Sequence, residues 1–183
     1  GPLAAEKFRT NERGLPRSSK RCRVITPKST FPTHDRGSTV GTGNGMSDIS
    51  KVMICPYFGA YPEWFDLWMR NTERMRRHGY DFLFDTDETD FKKRVWRKLG
   101  IECPPMTGTG RIWNYRPALG VLYEEEIKEF QWWGFTDFDC VYGRVENWVT
   151  DTFLDGLDVH SNHHSYICGP WSLFRNTPVV NNL

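Results

Sequence analysis

Trp132-Trp133-Gly134-Phe135-Thr136-Asp137-Phe138-Asp139 is the stretch that decides how this chain folds. An apolar run ends abruptly in two carboxylates, the pattern of a buried strand that delivers polar groups at its carboxyl end. Upstream, Pro117 opens a helix predicted over Ala118 to Phe130, with Leu119, Leu122, Tyr123 and Ile127 on one face. Earlier still, Val52 to Phe58 is a second short apolar run, stopped by Gly59. A helix follows it: Pro62 suits its first turn, and Trp64, Phe65, Trp68, Met69, Thr72 and Met75 form an apolar stripe. Arg74, Arg76, Arg77 and His78 crowd its carbonyl end before Gly79. Tyr80 to Phe84 reads as another strand, leading into Asp85-Thr86-Asp87, and Asp90 to Leu99 as a helix stopped by Gly100. Ile101 to Arg111, rich in proline and glycine, is loop, and further strands are expected around Leu157 to Val159 and Tyr166 to Cys168. This order predicts an α/β layer architecture with a mainly parallel sheet, whose ligands bind at the carboxyl ends of the strands.

Charge divides the chain. Residues 1–45 hold nine Lys/Arg against three Asp/Glu, and residues 46–183 hold fifteen against twenty. The first segment is rich in Gly, Pro, Ser and Thr, lacks a sustained apolar period, and reads as a disordered basic extension or a tail left by expression. Its opening Gly1-Pro2-Leu3 resembles a protease scar, with Met46 as the natural start. Residues 46–183 are then one domain. An acidic body is poor material for nucleic-acid binding, where a basic stripe is the expected footprint. Five cysteines at wide spacing, with no C-x-x-C pair, argue for reduced thiols. No run approaches the ~18 apolar residues of a membrane span, so a cytoplasmic protein without a membrane span is expected. Oligomeric state is not legible.

Spacing alone does not single out the carboxylates, because chance supplies about one Asp-x-Asp triplet in a chain this rich in Asp, and this chain has two. Asp85-Thr86-Asp87 sits in a polar stretch and reads as a solvated loop and helix cap. Asp137 and Asp139 are pressed on both sides by aromatic residues, and carboxylates held near a core are costly unless paired, hydrogen-bonded or metal-bound. Such a pair can hold Mn²⁺ or Mg²⁺ beside the phosphates of a nucleoside diphosphate. The plain alternative is a polar strand-to-loop turn ending at Gly143.

Four segments in order, Pro56-Tyr57-Phe58-Gly59 with Pro62 and Trp64-Phe65, Tyr115-Arg116-Pro117-Ala118-Leu119-Gly120, Trp133 to Asp139 with Tyr142-Gly143, and Cys168-Gly169-Pro170-Trp171 through Arg175-Asn176, resemble predicted glycosyltransferases of bacteria and phages. The resemblance spans roughly residues 50–180. It implies a GT-A-like, Rossmann-type sheet flanked by helices that binds a nucleotide-sugar, with UDP-sugar the expected donor, an unidentified acceptor, and Asp137 and Asp139 at the ion and diphosphate. It also implies that Tyr57, Phe58 and Gly59 cradle the nucleotide and that Asp85 lies near the base or ribose. The family usually carries Lys-Pro where this chain has Arg116-Pro117. Arg116 then supports the diphosphate as a fork rather than a point charge, or forms a structural ion pair with Glu124 or Glu125. Proteins of this kind generally run well past the Arg-Asn segment, so the chain reads either as a C-terminally truncated fold lacking acceptor-side residues or as a minimal variant.

Weaker constellations remain. His160, His163, His164 and Cys168 offer a zinc set or a polar, acceptor-facing connection, with His164 the imidazole that could join the metal. Asp158 is either a general base for the acceptor hydroxyl or an ordinary strand-end carboxylate. Trp171 either stacks on a sugar or packs in the core. The rival functions are a nucleotidyltransferase, whose basic Gly-rich loop after the first strand is absent, and a truncated or degenerate nucleotide-binding module.

Overall fold

The computed structural model describes residues 48–106 and 109–182. The expected extension over residues 1–45, the Met46 start and Cys22 lie outside the described residues.

Strand β1, Lys51–Pro56, is buried on both faces, with Val52 and Ile54 on one side of the sheet and Met53 and Cys55 on the other. Helix α1, Phe65–Arg76, carries the chain to β2, Tyr80–Asp85, which pairs with β1 in parallel. Trp68, Thr72 and Met75 of the stripe are buried, while Trp64 precedes the helix and stays out. Helix α2, Glu88–Leu99, is capped by the Asp87 carboxylate, which accepts from Asp90 N–H at 3.0 Å. It ends on Gly100 at φ 66°, whose N–H donates to Trp96 O, a conformation that costs glycine little.

A 3-10 helix, Thr109–Ala118, then leads into two short helices, α3 (Leu119–Leu122) and α4 (Glu124–Ile127), where one continuous helix is expected from the spacing. The interruption falls at Tyr123, whose carbonyl accepts from both Glu126 and Ile127. The apolar face survives the break, because Leu119, Leu122, Tyr123 and Ile127 are all buried. Strand β3, Trp132–Thr136, pairs with β1 in parallel. Helix α5 (Asp151–Asp155), strands β4 (Val159–Ser161) and β5 (Trp171–Arg175), and helix α6 (Pro178–Asn181) complete the chain.

The sheet order is β2-β1-β3-β5-β4. Its β1·β2 and β1·β3 pairings are parallel and its β3·β5 and β4·β5 pairings antiparallel. The sheet is therefore mixed rather than mainly parallel. A parallel partner for β4 would need a crossover of about a dozen residues or more, and only residues 162–170 separate β4 from β5. The strand expected at Tyr166 to Cys168 is instead exposed connection, and the apolar run resumes after Pro170, which has no N–H to give a ladder.

Each face of the sheet carries its own core. On one, Phe91 and Val95 of α2, Leu119 and Leu122 of α3, Ile127 and Val180 cover Val52, Ile54, Leu83, Trp133, Phe135 and Phe174. On the other, Trp68, Met75, Val149 and Leu154 cover Met53, Cys55, Phe82, Trp132 and Leu173. Gly134 lets β3 and β5 close together: a Cβ there would run into the Ser172 carbonyl and lie 2.8 Å from Leu173 Cδ2. Among the described residues no helix is long and apolar enough to cross a membrane.

Candidate functional site

The parallel half of the sheet sets the site. Extending the β1·β3 register, in which Met53 faces Gly134, puts Pro56 level with Asp137. Beyond these strand ends lies a cavity of about 310 Å³, lined from β1 by Ile54 to Tyr57 and from β3 by Phe135 to Asp139. Its position is the one expected of an α/β sheet's ligand crevice.

The turn that carries the carboxylates is held at its middle. Phe138 meets the rings of Tyr57, Phe65 and Trp68 edge-on at 5.1, 5.4 and 4.8 Å between centroids, contacts that aromatic pairs favour. Asp137 N–H donates to Pro170 O at 3.1 Å, and the Asp137 carbonyl accepts from Cys140 N–H. Asp137 and Asp139 flank this anchored ring and both line the cavity, Asp139 exposed and Asp137 half-buried.

Arg116 completes the arrangement. Its Nη1 donates to Gly169 O at 2.7 Å and its Nη2 to Asp137 Oδ1 in a close ion pair. The guanidinium lies over Trp113 at 5.0 Å and over Phe135 at 5.1 Å. A Cβ at Gly169 would sit 2.9 Å from Nη1, so any larger residue there would displace the guanidinium from this position. Three segments far apart in sequence, around Arg116, Asp137 and Gly169-Pro170, thus meet at one point. The alternative partners of Arg116 are engaged elsewhere or open to solvent: Glu124 pairs with Lys98, and Glu125 is exposed.

Two thiols border the carboxylates. Burial pushes the Cys55 thiol far up, with Arg116 and Arg76 opposing and Asp137 adding to the rise. Cys140 is raised by burial and by the charges of Asp137 and Asp139. Both stay protonated at neutral pH and are poor nucleophiles.

Other expected site residues fall elsewhere. Tyr57 lines the cavity and stacks on Tyr61 at 5.2 Å. Phe58 turns into the core against Phe91, and Gly59 holds φ at 130°, turning the chain away. Asp85 is not solvated. It is 2% exposed, accepts from Tyr123 Oη at 2.6 Å and from Asp87 N–H at 3.0 Å, and does not line the cavity. Burial raises its carboxyl above the usual range, against the lowering effect of those two bonds and of Arg94.

Asp158 sits beside Arg175, 3.4 Å from its Nε. Since Arg175 faces Trp132 at the start of β3, Asp158 belongs to the opposite end of the sheet, roughly 13 Å of strand from Thr136. His164 lies on the exposed β4–β5 connection, stacked with His163 at 4.7 Å. Among the described residues no three of His, Cys, Asp and Glu come together as a metal set, so neither a zinc cluster nor a third protein ligand for the Asp pair is assembled. Trp171 is buried, as the core reading expects.

Two cavity residues escape the sequence reading. Trp64 is 55% exposed and Trp113 51% exposed, and both line the cavity. Trp64 adjoins Phe65, packed on one face of the sheet, and Trp113 adjoins Ile112, buried on the other. In a 3-10 helix side chains three apart eclipse. Trp113 therefore falls over Arg116, a relation that the sequence reading, which gives residues 112–117 no element, does not disclose.

The fold and site define a mixed α/β domain with an acidic pair and a buried arginine at the carboxyl ends of its parallel strands. The chain belongs to a family of unknown function, DUF6625, which matches residues 89–183 and so takes in Arg116, Asp137, Asp139 and Gly169. No curated protein and no solved structure matches the chain.

Proposed function

We propose that this domain is a metal-dependent glycosyltransferase of GT-A-like, Rossmann-type fold that takes a sugar from a nucleoside diphosphate, a UDP-sugar in the first instance. The observation that carries it is the juxtaposition of Arg116 with Asp137 and Asp139 in one cavity. A site for an anion beside a site for a cation is what a metal-bound diphosphate requires. The donor set suits Mn²⁺ or Mg²⁺, since these ions take hard oxygen ligands and commonly use one or two protein carboxylates beside phosphates and waters.

In this reading Asp137 and Asp139 would hold the ion, which supplies Lewis-acid neutralisation of the departing diphosphate. Arg116, held by Trp113, Phe135, the Gly169 carbonyl and Asp137, supplies the positive charge beside the phosphates, and its Nη2 would pass from Asp137 to a phosphate oxygen once that carboxylate takes the ion. The exposed indoles of Trp64 and Trp113 and the ring of Tyr57, all on the cavity wall, would offer the base its stacking surfaces, since the buried Asp85 does not line the cavity. The bond from the anomeric carbon to the diphosphate oxygen breaks with its electron pair on the diphosphate. The acceptor hydroxyl oxygen forms the new bond to the anomeric carbon, and its proton passes to the departing diphosphate.

Thermal-shift titration with UDP and UTP, with and without Mn²⁺, tests this on the full chain and on Asp139→Asn, Asp158→Asn and Trp113→Ala. At about 100 Kd a ligand adds roughly 2.7 kcal/mol of stability. Metal-dependent stabilisation by UDP, lost in Asp139→Asn, weakened about tenfold or more in affinity in Trp113→Ala and unchanged in Asp158→Asn, is expected. A response to UTP alone points to a nucleotidyltransferase, and no response to either nucleotide overturns the proposal.

A further inference from the structure

Across the turn that carries Asp139 lies a second cavity, of about 530 Å³, whose walls include Val141, Trp148, Phe153, His160, Asn162 and Trp171. The two cavities share that turn: Asp137 to Asp139 line the first, and Cys140 to Gly143 the second. Thr136 and Tyr142, one on each side, join hydroxyls.

Among the described residues no Asp, Glu, Lys or Arg lines the second cavity, so a charged ligand would find no counter-charge from them there. Burial lowers the pKa of His160, which adds a neutral imidazole to the wall. Trp148 is 79% exposed and Val141 86% exposed. The indole N–H of Trp171 is buried without a hydrogen-bond partner among the described residues, a donor that costs stability where it stands.

This rim is built rather than loose. The Asn71 amide, oriented to satisfy both its atoms, accepts from Tyr142 N–H at 2.9 Å and donates to Tyr142 O at 3.3 Å. Glu146 pairs with Arg74 of α1, with His78 3.8 Å away, and Val149 and Leu154 are buried beneath. Trp148 therefore projects from a pinned turn.

We propose that this second cavity is the acceptor site and that its ligand is a neutral saccharide, a deepening that rests on the transferase reading. A pyranose ring offers apolar C–H faces to an indole and hydroxyls to neutral donors and acceptors such as Asn162 and His160. A hydrocarbon chain would leave those polar groups unpaired. An acceptor placed there shares with the first cavity the turn that runs from Asp137 to Gly143.

Saturation-transfer NMR on the full chain, with methyl glucoside, galactoside, mannoside and N-acetylglucosaminide and with dodecyl glucoside, each with and without UDP and Mn²⁺, tests the assignment. Ring-proton signals are expected for at least one neutral glycoside, with affinity about tenfold weaker in Trp148→Ala and the UDP thermal shift retained in that variant. Since Trp148 is exposed, folding of the variant is checked by its unfolding midpoint, and Phe153→Ala provides a second reading of the same wall. UDP binding without glycoside binding overturns this inference and leaves the donor reading standing; glycoside binding without UDP binding overturns the donor reading and with it the acceptor role, leaving only the saccharide site. Saturation confined to the dodecyl protons, or ring signals indifferent to both variants, also overturns it.

Discussion

Pairing Arg116 with Asp137 can be weighed by a double-mutant cycle of Arg116→Met, Asp137→Asn and the two together. Both side chains are mostly withdrawn from water, at 11% and 19% exposure, so screening removes little of their attraction. A hydrogen bond between charged groups contributes about 1.5–3 kcal/mol. Arg116→Met also forfeits the bond to Gly169 O and two ring contacts, and it strands a half-buried carboxylate, for a loss of about 3 kcal/mol. Asp137→Asn keeps shape and an acceptor oxygen and is expected to cost about 2 kcal/mol. The double variant should then lie near 3 kcal/mol, leaving a coupling of about 2 kcal/mol. Urea unfolding at a common slope reads these values from the midpoints, and the coupling should persist in high salt. A coupling under about 0.5 kcal/mol would refute the reasoning, because Asp137 would then be unpaired in solution and Arg116 would owe its position to the rings and Gly169 alone.

Gly134→Ala should destabilise by about 3 kcal/mol or more, since the added carbon meets the Ser172 backbone, which a side-chain rotation cannot clear; a urea midpoint within error of wild type would count against the β3·β5 register. For Asp85, whose folded pKa is raised by burial above the ordinary 3.8, the sign is set by proton uptake on folding: its contribution is fully present below that value and is lost as pH rises through the raised one. The stability of wild type relative to Asp85→Asn should therefore fall with rising pH across and above the carboxylate range, as read by urea midpoints at a series of pH values. A flat difference would place Asp85 in water.

Elements with a strong local period were legible, and those dictated by distant partners were not. β1, β2 and β3 carry apolar runs bounded by glycine or by acidic residues, and α1 and α2 carry stripes with recognisable ends, so local chemistry and final fold agree there. The sequence places a strand at Tyr166 to Cys168 rather than at β5, which begins only after Gly169-Pro170, two residues that serve the site through their carbonyls. The mixed pairing of the sheet follows from how β4 returns through a short connection, which is a matter of topology and leaves no periodic trace.

The same limit applies to the site. Asp137 and Asp139 were readable from the aromatic residues around them, but Asp85 looked solvated because its partner, Tyr123, lies 38 residues further on. Trp64 was assigned to the buried stripe because it stands four residues before Trp68, yet helix α1 starts one residue after it. The placement of Asp158 depends on strand register, which a lone strand-end carboxylate does not disclose.

The order of strands has a consequence for assembly. β5 comes last in the chain yet sits between β3 and β4, and β4 pairs with β5 alone. Until residues 171–175 dock, β4 has no neighbour, Asp137 N–H lacks the Pro170 carbonyl and Arg116 lacks that of Gly169. The cavity is thus complete only once the long-range β3·β5 pairing has formed. A nascent chain already holding its first three strands would carry both carboxylates and still lack the frame that aims the arginine at Asp137.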